Sequence, residues 1–312
     1  MMMMMLRLAG EARRRTAKDV ATGAAGGERW LSAAAAAKGR LEGKIAIITG
    51  GASGLGKATA HEFIREGAGA VIIADVNSGT GLRTAEELGP RAQFVRCDVA
   101  DEGSVAAAVD GAVARHGRLD VMFNNAGVAG SLAGSTELAT LDLSVLDAVM
   151  AVNVRGTLAG IKHASRVMCP AGAGSILCMA SISGLMGGLG TYPYSVSKFA
   201  IAGVVKAAAA ELSRHGVRVN CVSPFAVPTP MVVEQFSQML HRRGGGAGAA
   251  DEAQVAAVVR GLGELRGAAC EAVDVARAAA YLASDDAKYV SGHNLVVDGG
   301  FTSYKYMNLP QK

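Results

Sequence analysis

Short apolar runs alternate with helical patterns along most of this 312-residue chain, and this alternation limits the available folds more than any other feature. The candidate strands are KIAIITG, AVIIAD, QFVRCDV, LDVMFNNAG, SILCMAS, VRVNCVS and HNLVVDGG. Helical patterns separate them, so the chain consists of repeated βαβ units that form a parallel sheet covered on both faces. The sequence predicts a single α/β domain with a doubly wound parallel sheet. Its ligand site should lie at the carboxyl ends of the strands.

Residues 230 to 270 interrupt this alternation after the sixth predicted strand. MVVEQFSQML predicts a short helix, and RRGGGAGAADEAQ is a low-complexity segment that we expect to be mobile. The insertion lies on the ligand side of the sheet, so we interpret it as a lid over the substrate; a plain surface loop is the alternative. The catalytic domain is predicted to span residues 42–303, followed by a tail at 304–312.

The first 41 residues differ from the rest because they are basic, rich in alanine and without a strand pattern. They resemble an organelle presequence, and Arg29-Trp30-Leu31-Ser32 resembles a mitochondrial processing site. A disordered extension or a misassigned start codon are the alternatives, and Glu11, Asp19 and Glu28 are unusual for an acid-poor transit peptide. We expect a protein of the cytoplasm or the mitochondrial matrix, not a secreted one.

Composition argues against several classes of protein. The net charge of +4 is too small to indicate a nucleic-acid partner. The five cysteines include no CxxC pair, and the six histidines show no ligand spacing, so we predict neither a disulfide framework nor a metal site. No apolar run reaches the length of about 18 residues that a membrane-spanning helix needs.

The segment TGGASGLG, Thr49 to Gly56, joins the first predicted strand to the first predicted helix. Its glycines would let a pyrophosphate approach the backbone, and the helix N-terminus offers free N–H groups and the positive end of a dipole. A tight turn without a ligand is the alternative. Asp75 ends the second strand about 20 residues later, where a carboxylate hydrogen-bonds the adenosine ribose and repels a 2′-phosphate. Together these features predict a dinucleotide site that prefers NAD to NADP.

Tyr194 and Lys198 in TYPYSVSK have the i, i+4 spacing that places two side chains on one face of a helix. A free tyrosine titrates near pH 10, and a nearby ammonium group favours the phenolate and lowers that pKa. The sequence therefore predicts that Tyr194 is a general base. Tyr192 lacks this relation to Lys198 and is predicted to be a pocket wall or a packing residue.

These motifs resemble those of the short-chain dehydrogenase/reductase family over residues 42 to about 303. The shared motifs are TGGASGLG, CDV with Asp98, NNAG at Asn124, Asn153 in AVNVRG, Ser181 in MASIS, and Tyr194 with Lys198. HGVRVNCVSPFAVPTPM and YVSGHNLVVDGG carry a closer likeness to the plant NAD-dependent secondary-alcohol dehydrogenases of this family. One position departs from it, since Phe225 follows Pro224 where the family often has glycine.

The resemblance implies a catalytic set and a cofactor site. In the catalytic set, Ser181 would hold the substrate oxygen, Tyr194 would move the proton, Asn153 would hold a relay water, and Lys198 would also bind the nicotinamide ribose. The implied cofactor-binding residues are Gly50, Ser53, Gly54, Leu55, Gly56, Asp75, Val76, Asp98, Val99, Asn125, Ala126, Gly127, Tyr194, Lys198 and Thr229. The departure at Phe225 bears on the contact of Thr229 with the nicotinamide carboxamide.

The resemblance also implies an activity and an assembly. We expect an oxidoreductase that transfers a hydride from a secondary alcohol to NAD and yields the ketone. An NADP(H)-dependent ketone reductase and a non-catalytic dinucleotide-sensing protein are the alternatives. Family members commonly form tetramers through the last helix and the HNLVVDGG strand, and a homotetramer fits the apolar residues Phe301, Tyr304, Tyr306 and Met307.

The apolar residues of the predicted lid suggest a terpenoid, sterol or phenolic alcohol as the substrate. These residues are Val232, Val233, Phe236, Met239 and Leu240. The segment between Val128 and Leu141 is also expected to shape the pocket. The sequence does not identify the substrate further.

Overall fold

A seven-stranded parallel sheet forms the centre of the protein, with strand order β3-β2-β1-β4-β5-β6-β7. We describe this architecture from a computed structural model, in which residues 39–130, 137–243 and 252–303 are described. The strands are β1 (Ile45–Thr49), β2 (Ala70–Asp75), β3 (Ala92–Arg96), β4 (Val121–Asn124), β5 (Gly174–Met179), β6 (Val217–Pro224) and β7 (Asn294–Val297). All neighbouring strands pair in parallel. The predicted doubly wound α/β sheet is confirmed.

Helices connect the strands and cover both faces of the sheet. They are α1 (Gly54–Arg65), α2 (Ser78–Leu88), α3 (Glu102–His116), α4 (Leu143–Met150), α5 (Gly156–Ala171), α6 (Tyr192–Leu212), α7 (Pro230–Arg243), α8 (Glu252–Gly261) and α9 (Ala272–Ala283). A π-helical turn, Ala151–Arg155, joins α4 to α5. Short 3-10 turns occur at Leu138–Thr140, Ile182–Gly184, Ser213–His215, Asp285–Ala287 and Phe301–Ser303.

Alternate residues of each central strand belong to two separate cores. In β1, Ile45 and Ile47 pack with the helices of one face, whereas Ala46 and Ile48 pack with those of the other face. All five residues of β1 are buried. A strand that is covered on both faces must be apolar at every position, because successive side chains point to opposite faces. This is why the strands read as continuous apolar runs.

The order of the strands places a cleft between β1 and β4. Connections from β1 lead outward through β2 to β3, whereas β4 begins the opposite half of the sheet. The connections that follow the two strands diverge at this switch point, and in open α/β sheets the ligand lies in the resulting crevice. The ends of β1 and β4 carry Thr49 and Asn124, at the start of the two glycine-containing motifs.

Several element boundaries differ from the predicted ones. Helix α2 begins at Ser78, because the Asn77 side chain accepts a hydrogen bond from the Thr80 N–H at 3.0 Å and caps the helix. The helical pattern between the fourth and fifth strands forms two helices, α4 and α5, with the π-helical turn between them. The segment RRGGGAGAADEAQ was expected to be mobile, but both of its ends are helical: Arg242 and Arg243 end α7, and Glu252 to Gln254 begin α8. Helix α8 buries Val255 and Val259.

One segment passes a length and hydropathy test for a membrane-spanning helix. A window of 18 residues within Leu143–Ala171 has a mean hydropathy of 1.2, so the sequence argument from apolar run length missed this candidate. In the structure, however, Ile161, Ala164 and Met168 of this segment are buried in the core beneath the sheet. Its apolar character is explained by packing within the domain.

Some predictions fall outside the described residues. These are the presequence-like segment up to residue 38, the glycine-rich stretch at 244–251, the tail at 304–312, and the part of the predicted pocket wall at 131–136. Residues 39–41 are part of the described domain: the Leu41 N–H donates to the Glu66 carbonyl at 2.8 Å, and Leu41 is buried.

Candidate active site

The turn between β1 and α1 is rich in glycine, so its backbone is not covered by side chains at the edge of the cleft. Gly50 and Gly54 have φ values of 63° and 52°, in the left-handed region that favours glycine. A Cβ atom on Gly56 would lie 2.1 Å from the Gly50 carbonyl oxygen, so this glycine lets α1 start directly against the turn. Ser53 at the helix N-cap makes no capping hydrogen bond, which leaves first-turn N–H groups to face an anion.

Hydrogen bonds between the ends of β1 and β4 hold this turn in place. The Asn125 side chain donates to the carbonyl oxygens of Thr49 at 2.9 Å and of Gly50 at 3.2 Å. In return, the Thr49 hydroxyl accepts from the N–H groups of Asn125 and Ala126, both at 3.0 Å. Asn125 was predicted to lie beside a cofactor; its side chain also fixes the shape of the glycine turn.

Asp75 lies at the carboxyl end of β2, at one end of the cleft. Its carboxylate accepts hydrogen bonds from the N–H groups of Ala52 at 3.1 Å and Asn77 at 2.9 Å. Two oxygens offer about four lone-pair sites, so two further donors can still be accepted. The group is therefore oriented by the backbone and remains able to bind a diol.

A cavity of about 740 Å³ extends from Asp75 across the carboxyl ends of the strands. Its lining includes every predicted cofactor-binding residue except Gly56: Gly50, Ser53, Gly54, Leu55, Asp75, Val76, Asp98, Val99, Asn125, Ala126, Gly127, Tyr194, Lys198 and Thr229. Asp98 is held by the Ala100 N–H, which donates to its carboxylate at 2.9 Å. Gly56 does not line the cavity, but it lets α1 approach the Gly50 backbone closely.

Tyr194 and Lys198 reach the cavity from the first turns of α6. The helix is fixed at its start by Thr191, whose hydroxyl accepts from the Tyr194 N–H at 3.2 Å and donates to the Ala129 carbonyl at 2.8 Å. Lys198 is buried, and its Nζ atom donates to the Met179 carbonyl at 2.7 Å. The same atom lies 5.4 Å from the centroid of the Tyr194 ring, so the predicted shared face is confirmed as geometry.

Ser181 follows β5 and lies beside Tyr194. Its hydroxyl accepts from the Ser183 N–H at 3.1 Å and begins a short 3-10 turn. That turn packs tightly on α6, since a Cβ atom on Gly184 would lie 2.5 Å from the Lys198 carbonyl oxygen. Ser181 is near enough to the Tyr194 hydroxyl to exert a lowering effect on the pKa of that tyrosine.

Asn153 lies in the π-helical turn and is buried. Its side chain accepts from the Val128 N–H at 2.8 Å and donates to the Val128 carbonyl and the Ser197 hydroxyl, both at 2.9 Å. It does not line the cavity. A Cβ atom on Gly127 would lie 3.2 Å from the Asn153 Oδ1 atom and 3.7 Å from the Lys198 Nζ atom. The Asn153 amide and the Lys198 amine therefore both lie next to Gly127.

Burial has the largest effect on the pKa values of Lys198 and Tyr194. It lowers the pKa of Lys198 to about 8. Burial also raises the pKa of Tyr194, against a smaller opposing effect of the hydrogen bond to Ser181. The prediction of a lowered tyrosine pKa is therefore wrong for this structure, because removal of the phenolate from water outweighs the lowering effect of Ser181.

The lid region contributes to the cavity as an outer wall. Met231, Val232 and Phe236 of α7 line the cavity, as does Leu262 after α8, whereas Val233 does not. The side chains of Met239 and Leu240 lie outside the described residues. Thr229 lies at the base of α7, where its methyl group would be 3.5 Å from a Cβ atom on Gly54.

Sequence reasoning missed several apolar wall residues. The cavity lining includes Ile182, Leu189, Phe225 and Phe301, which come from three separated segments. In the sequence, Phe225 stands out only for its departure from the usual glycine, and Phe301 only as an apolar residue that fits a homotetramer. Tyr192 was predicted to be a pocket wall or packing residue, but it does not line the cavity and is 46% exposed.

The described residues contain no group of three or more His, Cys, Asp and Glu side chains that could hold a metal ion. Cys97, Cys178 and Cys221 are buried, and Cys169 and Cys270 are partly buried. Burial raises the pKa of the Cys221 thiol to about 12, which keeps it protonated.

A glycine turn at the switch point of a doubly wound sheet, together with a Ser-Tyr-Lys constellation at the same edge, defines a nicotinamide dinucleotide-dependent oxidoreductase. A family model described as "Enoyl-(Acyl carrier protein) reductase" matches residues 50–302. The chain belongs to the short-chain dehydrogenase/reductase family, whose members use a nicotinamide dinucleotide cofactor.

Curated plant proteins of this family are similar to the chain over most of its length. The sex determination protein tasselseed-2 of Zea mays is 46% identical over 85% of this chain and 83% of its own. Momilactone A synthase of Oryza sativa subsp. japonica is 47% identical over 84% of this chain and 91% of its own. Secoisolariciresinol dehydrogenase of Forsythia intermedia is 44% identical over 84% of this chain and 90% of its own. These confirm the predicted likeness to plant enzymes of the family.

A solved structure shares the fold. The crystal structure of levodione reductase superposes with a TM-score of 0.75 and 29% sequence identity, covering 85% of this chain and all of that chain.

Proposed function

We propose that this enzyme oxidises a hydrophobic secondary alcohol to the ketone with NAD as the hydride acceptor. The observation that carries the cofactor choice is the Asp75 carboxylate, held at one end of the cleft by the N–H groups of Ala52 and Asn77. A fixed negative charge there accepts hydrogen bonds from the hydroxyl groups of an adenosine ribose and repels a 2′-phosphate. The adjacent segment, from Asp75 to Gly79, contains no Arg or Lys that could offset this charge.

The residues of the cleft fit a dinucleotide along its length. The glycine turn and the N-terminus of α1 would hold the pyrophosphate, and Asp98 and Val99 would face the adenine. Gly127 would lie beside the nicotinamide half, where Lys198 would hold the ribose and Thr229 the carboxamide. The bound nicotinamide ring supplies the hydride acceptor.

The hydroxyl groups of Ser181 and Tyr194 would handle the proton of the alcohol. Both residues line the cavity, and Ser181 is near enough to the Tyr194 hydroxyl to influence its pKa. We propose that Ser181 orients the substrate oxygen, and that Tyr194 takes the proton of the alcohol once its own proton has passed to the neutral amine of Lys198. Lys198, with a pKa lowered to about 8 by burial, is able to exchange a proton near neutral pH, and Asn153 would position the path between Lys198 and water.

The walls of the substrate end favour an apolar alcohol. The lining of the cavity includes the apolar residues Ile182, Leu189, Met231, Val232 and Phe236. Apolar walls bind apolar ligands, and a few convergent polar groups fix their orientation. Similar proteins include (+)-borneol dehydrogenase 2 of Salvia officinalis and zerumbone synthase of Zingiber zerumbet. A terpenoid, sterol or phenolic alcohol is therefore the proposed substrate class.

The test is a comparison of NAD with NADP on a panel of hydrophobic secondary alcohols, using the purified full-length protein. We expect kcat/KM with NAD to exceed that with NADP by about tenfold or more, a difference of about 1.4 kcal/mol. Asp75→Ala should narrow this gap. Equal efficiency with both cofactors would contradict the cofactor assignment, and NADPH-driven ketone reduction without alcohol oxidation would favour the reductase alternative.

A non-catalytic dinucleotide sensor has no specific support. Such a protein would not need Ser181, Tyr194 and Lys198 at one end of an apolar cavity, and all three residues are present there. Tight NAD binding without turnover of any alcohol in the panel would revive that alternative.

A further inference from the structure

A second cavity of about 350 Å³ lies behind one wall of the first. Its lining comes from the segment that follows α8 and from the end of β7, and Phe225 and Ala226 line both cavities. These two residues therefore form the partition between them. Phe225 supplies most of its bulk, since Ala226 has a single methyl group.

The Phe225 ring is held firmly in this position. Only 8% of the residue is exposed, and its N–H donates to the Val297 carbonyl at 2.9 Å. On the side of the first cavity its ring packs against Phe301, with centroids 4.8 Å apart and planes inclined at 43°. Aromatic pairs at this distance attract each other beyond their area burial, so the partition is braced by backbone and side chain together.

The second cavity is suited to an apolar group. Val259, Leu265, Cys270 and Val297 contribute to its lining. Three of its four charged lining residues are already paired: Arg260 binds the Glu271 carboxylate at 2.6 Å, Asp274 accepts from the Glu271 N–H at 2.9 Å, and Asp298 accepts from the N–H groups of Gly300 and Thr302. The fourth, Glu264, is exposed to solvent. Paired charges offer little to a polar ligand, so the space favours a hydrocarbon group.

We propose that Phe225 is a specificity-determining residue that limits the length of the substrate. With Phe225 in place, the active-site cavity ends at the aromatic pair and accepts compact alcohols. With a small residue there, the two cavities join, and an apolar tail on the alcohol would extend into the second. This inference rests on the proposed alcohol oxidation for its kinetic consequence, but the partition itself is testable through binding alone.

The experiment compares cyclohexanol with trans-4-pentylcyclohexanol, which differ only in an apolar tail. For Phe225→Ala we expect the ratio of kcat/KM for the tailed alcohol to that for cyclohexanol to rise about tenfold over the wild-type ratio, the discrimination that a few methylene groups give in an apolar pocket. Phe236→Ala is the matched control, because it removes the same ring from a residue that lines only the first cavity.

Two further variants keep the outcome unambiguous. If Phe225→Ala fails to fold, Phe225→Leu takes its place. It retains most of the buried volume and should show a gain in the kcat/KM ratio that is smaller than about tenfold. Adding Ala268→Phe to Phe225→Ala refills the second cavity and should cancel the gain. An unchanged ratio in Phe225→Ala, or an equal gain in Phe236→Ala, would overturn the proposal.

A binding measurement separates this proposal from the proposed function. The rise in melting temperature of the NADH-saturated protein on adding each alcohol reports binding without turnover. We expect the tailed alcohol to stabilise Phe225→Ala more than cyclohexanol does, and this difference to be absent in the wild type. If no alcohol is oxidised but this difference is found, the proposed function fails and the partition stands. If alcohols are oxidised but the difference is missing, the partition fails alone.

Discussion

At the scale of single residues, the protein depends on reactive groups that are expensive to bury. Lys198 and Tyr194 are both withdrawn from water, and burial disfavours the charged form of each. The lysine retains one strong hydrogen bond, to the Met179 carbonyl at 2.7 Å. The site therefore costs stability in return for groups whose protonation can change during a reaction.

Tyr194→Phe tests the general-base assignment. The variant keeps the ring and its packing but removes the proton acceptor, so turnover should fall about 10²–10⁴-fold, while NAD affinity changes little. Tyr192→Phe is the control, since that ring is half exposed and does not line the cavity. Measuring kcat for both variants on one alcohol decides the matter: an inactive Tyr192→Phe beside an active Tyr194→Phe would refute the assignment.

Lys198 should impose a pH dependence on stability. Its folded pKa of about 8 lies below the ordinary value of 10.5, so between these two values the unfolded state binds more protons and stability rises with pH. Lys198→Met lacks this titration. From about pH 7.5 to about pH 9.5 the wild type should therefore gain in melting temperature relative to the variant. Parallel pH profiles for the two proteins would show that Lys198 titrates normally in the fold.

At the scale of elements, the first βα unit is built around one contact that only glycine permits. Helix α1 begins against the β1 turn because Gly56 has no Cβ atom to meet the Gly50 carbonyl. The Asn125 side chain then ties this turn to the end of β4. The cleft is thus assembled from two strand ends and one helix start, and its shape depends on how closely they approach.

Gly56→Ala should open that turn and weaken cofactor binding. The added methyl group would lie 2.1 Å from backbone, which cannot yield as a flexible side chain would. We expect NAD affinity to fall at least about tenfold, about 1.4 kcal/mol, together with a lower melting temperature.

Gly111→Ala in α3 is the matched control for this substitution. That glycine is exposed on a helix, and a Cβ atom there would meet nothing within 4 Å. The change should raise stability by about 0.5–1 kcal/mol, the helix propensity of alanine over glycine, and leave NAD affinity unaltered. Titration calorimetry and thermal unfolding measure both effects; equal NAD affinity in the two variants would contradict the role of Gly56.

At the scale of the whole molecule, large apolar side chains remain exposed on α5 and α6. Leu158, Val196 and Phe199 are 46%, 50% and 47% exposed. The two helices pack against each other, and contiguous exposed apolar surface commonly marks an interface. These exposed side chains add to our expectation of a homotetramer. They would form an interface separate from the one that the resemblance places at the last helix and the final strand.

Sedimentation tests this assembly. We expect a species near four times 31.7 kDa at micromolar concentration, and Phe199→Glu should reduce it towards smaller species because a charge would be buried at the interface. Leu82→Glu on α2, at the other edge of the sheet, is the control, since Leu82 is 60% exposed. A wild-type protein that sediments only as a monomer would contradict the proposal.

The sequence by itself determined the order and type of most elements, because their signals are local. Apolar runs such as AVIIAD form strands at their predicted positions, and the alternation with helices predicts a parallel sheet through the handedness of βαβ units. The glycine turn, Asp75 and the Tyr194–Lys198 pair were also found from local spacing and motif resemblance. Each of these depends on neighbours within a few residues or on one rule of topology.

Tertiary structure decided what depends on residues far apart in the chain. Helix α8 was missed because its two buried valines sit in an alanine- and glycine-rich stretch and are buried only by packing from elsewhere. The direction of the Tyr194 pKa came from desolvation by surrounding segments, which no helical spacing reveals. The partition at Phe225 needs Phe301 and Val297 beside it. Burial, desolvation and cavity shape are properties of the packed assembly, and local sequence does not contain them.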